Sequence, residues 1–423
     1  MAGNSIDYLR EYGNLSFAEV PFCDADALIL AQLSYLRFDG LVPGPGRRCQ
    51  NGWGLHPEGR RRRGGWSFRG GWSCRENVRG RKRNAAVRSR KGPAAERPTL
   101  RQVGERMDPE QFFDRWYERQ NRELWDMVSK SPRFLDVECG CYRSRLDEKE
   151  ETQFAAIVFF PKGCEPVAVF RGTDDSLVGW KEDFNLSFQN PVPAQRMSAA
   201  YLNQAGSGFR GPFSVCGHSK GGNLAIYASV CANAGIRRRI RTVYSLDGPG
   251  FLPKALPEGP YEEMKGRIRR ILPASSIIGM LLLNPGPYET VRSRAAGVMQ
   301  HDSFSWEIEN GRFVLAKDVE ERQRRRNDVL NRWIFSLPEE ERELFVDALF
   351  GIVRKTGAAT LTGFAENWGK NLRICLKEIR GMDQETGKRM RRILRELIEI
   401  YRSAAGQERK AERNRDGKDR ISH

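Results

Sequence analysis

Histidine is scarce in this 423-residue chain: His56, His218, His301 and His423 are the four copies. Any chemistry that needs an imidazole has few places to find one. Cysteine pairing is equally poor. The nine cysteines are an odd number, they are scattered, and no C-x-x-C pair occurs; Cys139 and Cys141 are the one close pair. That pattern argues against a disulfide framework and against structural zinc. Long apolar runs are missing too. A run such as Ile277 to Leu283 falls far short of the roughly 20 residues that span a bilayer. The first residues, Met-Ala-Gly-Asn-Ser-Ile-Asp, show no apolar signal core. The expectation is a reduced, cytoplasmic protein without a transmembrane segment.

The formal charge of +17 invites a polyanion partner, but it is uneven. Between Gly44 and Pro98 stand sixteen Lys and Arg against three Glu, a net of +13, so the remainder carries +4. That stretch holds Arg60-Arg61-Arg62-Arg63, repeated Gly-Gly-Trp and few aliphatics. It cannot bury enough surface to offset its ordering entropy, so it reads as a disordered insertion. Its charge would give weak, salt-sensitive, non-specific nucleic-acid binding.

Against these absences stands one rich phrase. Phe213 to Cys216 is a short apolar run of β-formers, and Asn223 to Val230 carries apolar residues at helical spacing. Between them lies Gly217-His218-Ser219-Lys220-Gly221. Strand, sharp turn and helix around G-x-S-x-G describe a nucleophile elbow: Gly217 and Gly221 make room, and Ser219 is lifted clear of the sheet. The amides of the following helix point at developing negative charge.

A serine nucleophile needs a base, an acid and an oxyanion hole. His423 ends a charged tail, His56 lies in the basic stretch, and the side chain of His218 leaves the elbow in another direction from that of Ser219. His301 remains, downstream of the serine as the order serine, acid, histidine requires. The acid falls between. Thr242 to Leu246 reads as a strand, and Asp247-Gly248-Pro249-Gly250 follows at its carboxyl end, the place for a catalytic acid. Asp302 adjoins His301 and suits a local turn contact. Oxyanion donors are the Lys220 amide and Thr173, in the loop Arg171-Gly-Thr-Asp-Asp that leaves strand Val167 to Phe170. No metal or organic cofactor is needed for this chemistry.

Phe-Arg-Gly-Thr, Gly-His-Ser-x-Gly-Gly, a strand ending in Asp-Gly-Pro, and a late His followed by Trp resemble the class 3 lipases. The stretches 4–43 and 99–316 are similar to a bacterial family of lipase-like α/β-hydrolases. The resemblance implies Ser219 as nucleophile, His301 as base and Thr173 as oxyanion residue, in an α/β-hydrolase fold. It departs at the acid: class 3 lipases place it after the next strand, where this chain has Ser275 and Ser276, whereas Asp247 looks like the pancreatic-lipase arrangement.

The chain therefore divides into a helical lead (1–43, with helix Asp24 to Leu36), the basic insertion (44–98), a mostly parallel α/β core (99–316), a C-terminal helical region (317–406) and a tail (407–423). Trp180 and Phe184, four apart, stand where a lipase carries its lid. Two apolar stripes in the C-terminal region, one through Leu344, Phe345, Leu349 and Ile352, read as packing faces. The function expected is a serine hydrolase of carboxylic esters, lipid or acyl esters among them. The alternative is a catalytically silent hydrolase fold that binds or scaffolds, which requires that Ser219, His301 and Asp247 fail to converge.

Overall fold

The computed structural model describes residues 2–46, 97–114, 117–284, 286–396, 398–400 and 402. Apart from Gly46 these belong to one unit, Met1–Pro45 with Arg97–His423; the second unit, Gly46–Glu96, is outside the described residues beyond its first residue. The basic stretch with Arg60 to Arg63 and the tail from Gln407 thus lie outside the described residues.

Seven strands form the main sheet: β1 Glu138–Asp147, β2 Thr152–Phe160, β3 Val167–Phe170, β4 Phe213–His218, β5 Ile240–Leu246, β6 Ile268–Pro273 and β7 Glu289–Val291. They lie side by side in chain order. The pairs β1–β2 and β2–β3 are antiparallel; from β3 to β7 every pair is parallel. A two-stranded ribbon, β8 Ile308–Glu309 and β9 Arg312–Phe313, follows. Strands β3 and β4 are buried along their whole length, as strands covered on both faces must be. Sequence reading missed β1. Its pairing slips between Gly140 and Arg143, and Cys141 has φ 55°, so the bulge breaks the alternation that marks a strand.

Parallel strands laid out in chain order and joined by right-handed crossovers put their connecting helices on one face. Those helices include Pro193–Ser207 and Lys220–Cys231. The other face needs cover from elsewhere, and the residues before the sheet supply it. Alternate strand residues Ile157, Phe159, Val167, Val169, Cys216 and Leu246 join one cluster with Leu28, Leu100 and Leu124 from the early helices. The Cys216 thiol reaches the Ala27 carbonyl at 3.4 Å.

The helix expected over Asp24 to Leu36 runs Asp24–Leu33, and every residue from Ala25 to Leu33 is buried. Its apolar positions are therefore not one stripe facing a core. Ala25, Ala27 and Ala31 let its backbone approach its neighbours closely, and the charge it carries is satisfied internally. Asp26 accepts from Arg133 Nε (2.8 Å) and Nη2 (2.7 Å) and from the Tyr8 hydroxyl (2.9 Å). A buried pair is tolerated when its lone pairs are filled in this way.

The C-terminal region is helical: Glu321–Ser336, Glu339–Arg354, Leu361–Glu366 and Trp368–Gly381. Among the described residues, no helix is long and apolar enough to cross a membrane.

Candidate active site

The elbow is built by close packing. A Cβ on Gly217 would overlap the Gly221 carbonyl, and one on Gly221 would overlap the Phe170 carbonyl of β3. With both glycines in place, the turn after β4 tightens until Ser219 sits at φ 58°, ψ −131°, a region non-glycine residues enter only where the surroundings enforce it. Ser219 N–H donates to the Leu246 carbonyl at 2.9 Å, so β5 braces the turn.

His218 pairs with Leu246 in the β4–β5 register, which places Ser219 and Asp247 at the carboxyl ends of adjacent strands. His301 ends the 3-10 helix Gly297–His301. Its Nδ1 lies 2.6 Å from Asp247 Oδ2, and its Nε2 lies 2.9 Å from Ser219 Oγ. The carboxylate fixes the tautomer: Nδ1 donates to it, so Nε2 is free to accept the serine proton. Asp247 is fully buried, and its other oxygen accepts from Ser276 Oγ (2.5 Å) and Gly279 N–H (3.1 Å). Thus Ser276, where the resemblance would have put the acid, instead donates to Asp247 from the neighbouring strand. Asp302 accepts from the Phe304 amide at 3.0 Å, a local turn contact.

Sequence reading set His218 aside, yet it is part of this site. Its ring stacks on His301 with centroids 4.8 Å apart, and its Nε2 lies 2.9 Å from the His301 carbonyl. A carbonyl can only accept, so Nε2 carries the proton and Nδ1 accepts from the Tyr35 hydroxyl at 3.1 Å. Burial, and then the charge of His301, push His218 down to about 3, so it stays neutral. Trp306 completes the support, its indole donating to the Gln300 carbonyl at 2.8 Å.

Thr173 and Lys220 both line the cavity at Ser219. The Thr173 hydroxyl donates to Asp183. The Lys220 ammonium is buried and engaged by Glu182 (3.1 Å) and by the side chain and carbonyl of Gln153 (2.5 and 3.0 Å). Arg171 donates to the Ser34 and Leu36 carbonyls and the Tyr142 hydroxyl.

Ser219 opens into a cavity of about 500 Å³ whose surface is mainly apolar. Trp180 and Phe184 form one wall on the helix Leu177–Asn185. That helix is held in place: Lys181 reaches Glu151 (2.5 Å) and Asp347 (2.7 Å), and Glu182 accepts from the Ala194 amide (2.8 Å). The opposite lining comes from the C-terminal helices, with Trp333, Ile334, Phe345 and Leu349. Asn327 and Asn331 pin the first of these helices to the Ser276 and Met280 carbonyls. The stripe through Phe345 and Leu349 therefore helps to enclose the cavity.

Fold and site together define an α/β protein in which a serine, a histidine and an aspartate are linked at the carboxyl edge of a parallel sheet. The chain belongs to the Mbeg1-like family, whose model matches residues 128–351. No curated protein matches it. Among solved structures it is similar to an M37 lipase (15% identity, TM-score 0.29) and to the Rhizomucor miehei lipase in its propeptide complex (19% identity, TM-score 0.29). These matches cover 38% and 40% of this chain and span 61% and 59% of those lipases, under two thirds of their length.

Proposed function

We propose that this protein is a serine hydrolase of carboxylic esters, built as a lipase-like α/β-hydrolase. The observation that carries the reading is the unbroken chain Asp247–His301–Ser219, at 2.6 and 2.9 Å, at the wall of an apolar cavity. Ser219 attacks the ester carbonyl while His301 Nε2 takes its proton. Asp247 holds the ring and stabilises the imidazolium. The amides of Lys220 and Thr173 receive the developing oxyanion. His301 then protonates the leaving alcohol, and water repeats the sequence to release the acid. The apolar lining favours an acyl or lipid ester. The strained Ser219 backbone and the paired tautomers of His218 and His301 support the same reading, because a binding fold needs neither.

The test is labelling by a fluorophosphonate probe with peptide mapping. The adduct should fall on Ser219, and Ser219→Ala should abolish both labelling and hydrolysis of short p-nitrophenyl esters. Labelling that persists undiminished in that variant would sink the assignment.

A further inference from the structure

Most charged groups around the cavity are paired. Lys181 has Glu151 and Asp347; Glu341 holds Arg389 at 2.9 Å and Arg392 at 2.8 Å. Arg342 differs. It lines the cavity from the helix Glu339–Arg354, and its Nε and Nη1 are buried with no hydrogen-bond partner among the described residues. Burial pulls its guanidinium below the ordinary arginine range, with Glu339 opposing. A second donor shares its predicament. Trp333 also lines the cavity; its indole Nε1 is buried without a partner among the described residues, and its ring meets Phe345, one turn on from Arg342, edge-on at 5.8 Å.

Guanidinium and indole N–H groups can donate but never accept. Leaving such donors buried and unmet is costly, more so for a charged one. The ligand feature that answers both is a group rich in acceptors and negatively charged. A guanidinium is shaped for such an oxyanion, which it can hold by two parallel bonds.

We propose that Arg342 and Trp333 form a subsite for an anionic oxyanion group, so that the preferred ligand is an amphiphilic ester with an apolar chain and a phosphate or carboxylate. The subsite supplies orientation. A long chain in an apolar cavity can slide, whereas a charge fixed at one point sets which carbonyl stands before Ser219. The ester part of this statement rests on the hydrolase reading; the anion part does not.

The test separates the two. Binding is measured by calorimetry on Ser219→Ala, which cannot turn over its ligand, with three probes of equal chain: 1-dodecanoyl-lysophosphatidate, monododecyl succinate and neutral 1-dodecanoylglycerol. At least one anionic probe should bind ten-fold or more tightly than the neutral one, and which one does so distinguishes phosphate from carboxylate. Adding Arg342→Met should erase that preference, a loss on the order of 10- to 100-fold, and leave the neutral probe unchanged. Arg342→Lys should keep part of the preference, and Trp333→Phe should lower it. Equal binding of charged and neutral probes overturns the proposal, as does an equal loss for all three in Arg342→Met. If fluorophosphonate labelling of Ser219 fails while the anion preference persists, the hydrolase reading falls and the subsite stands.

Discussion

Asp183 lines the cavity at Ser219 and accepts from the Thr173 hydroxyl. Burial pushes its carboxyl up to about 6, while the charge of Lys220 and the Thr173 hydroxyl pull the other way. A carboxyl whose folded pKa lies above its unfolded value gives a contribution to stability that is whole below about pH 4 and lost as pH rises through about 6. Asp183→Asn should therefore gain on the wild type as pH rises, with a difference on the order of 2 kcal/mol opening between pH 4 and pH 7. Urea midpoints of both proteins at the two pH values measure this; a gap that stays constant would mean Asp183 does not ionise in that window. At this scale the positions of Ser219, Asp247 and His301 were legible in the sequence. Each stands at a junction that glycine, proline or the scarcity of histidine marks out. His218 was not legible, because the direction of one side chain at an elbow gives no hint of the ring stacked on it. Nor was Arg342, since an arginine in an Arg- and Glu-rich helix looks like every other until its surroundings are known.

Among elements, the helix Asp24–Leu33 carries more of the fold than an appended lead would. It covers a sheet face that the crossover helices leave bare. Leu28 in it is fully buried, so Leu28→Ala should cost about 3 kcal/mol by transfer and cavity terms. Leu372, on the helix Trp368–Gly381, is 39% exposed, and its change to alanine should fall within about 0.5 kcal/mol of neutral. Chemical denaturation of the pair tests the contrast; similar small losses would show that the early helix is peripheral. The strands β3, β4 and β5 were readable because buried parallel strands are compact apolar runs of β-formers between turns. β1 was not, since a bulge and a left-handed cysteine spoil its period. The stripes of the C-terminal helices were readable as apolar faces, but no sequence period says whether such a face meets a core or closes a cavity.

At the scale of the whole molecule, the chain leaves and rejoins the described unit along one strand. The Pro43 carbonyl accepts from the Tyr142 amide at 3.1 Å, and the Pro98 carbonyl from the Cys139 amide at 2.8 Å. Those two positions on β1 are about 10 Å apart at the rise of a strand. Replacing residues 47–96 by a five-residue Gly/Ser link should therefore keep ester hydrolysis and preserve or raise Tm, because shortening the connection about tenfold favours closure by ~2 kcal/mol. A collapse in Tm would show that the excised residues belong to the fold. Chain order has a further consequence, for birth rather than for stability. The Asp24–Leu33 helix leaves the ribosome long before the strands it covers: Cys216, which meets Ala27, is 189 residues away. At roughly 5–20 residues per second, this apolar segment waits on the order of 10–40 s for its partner strands. A helix buried on every side at the end is thus bare on every side at the beginning, and that nascent apolar segment stays exposed until the sheet is complete.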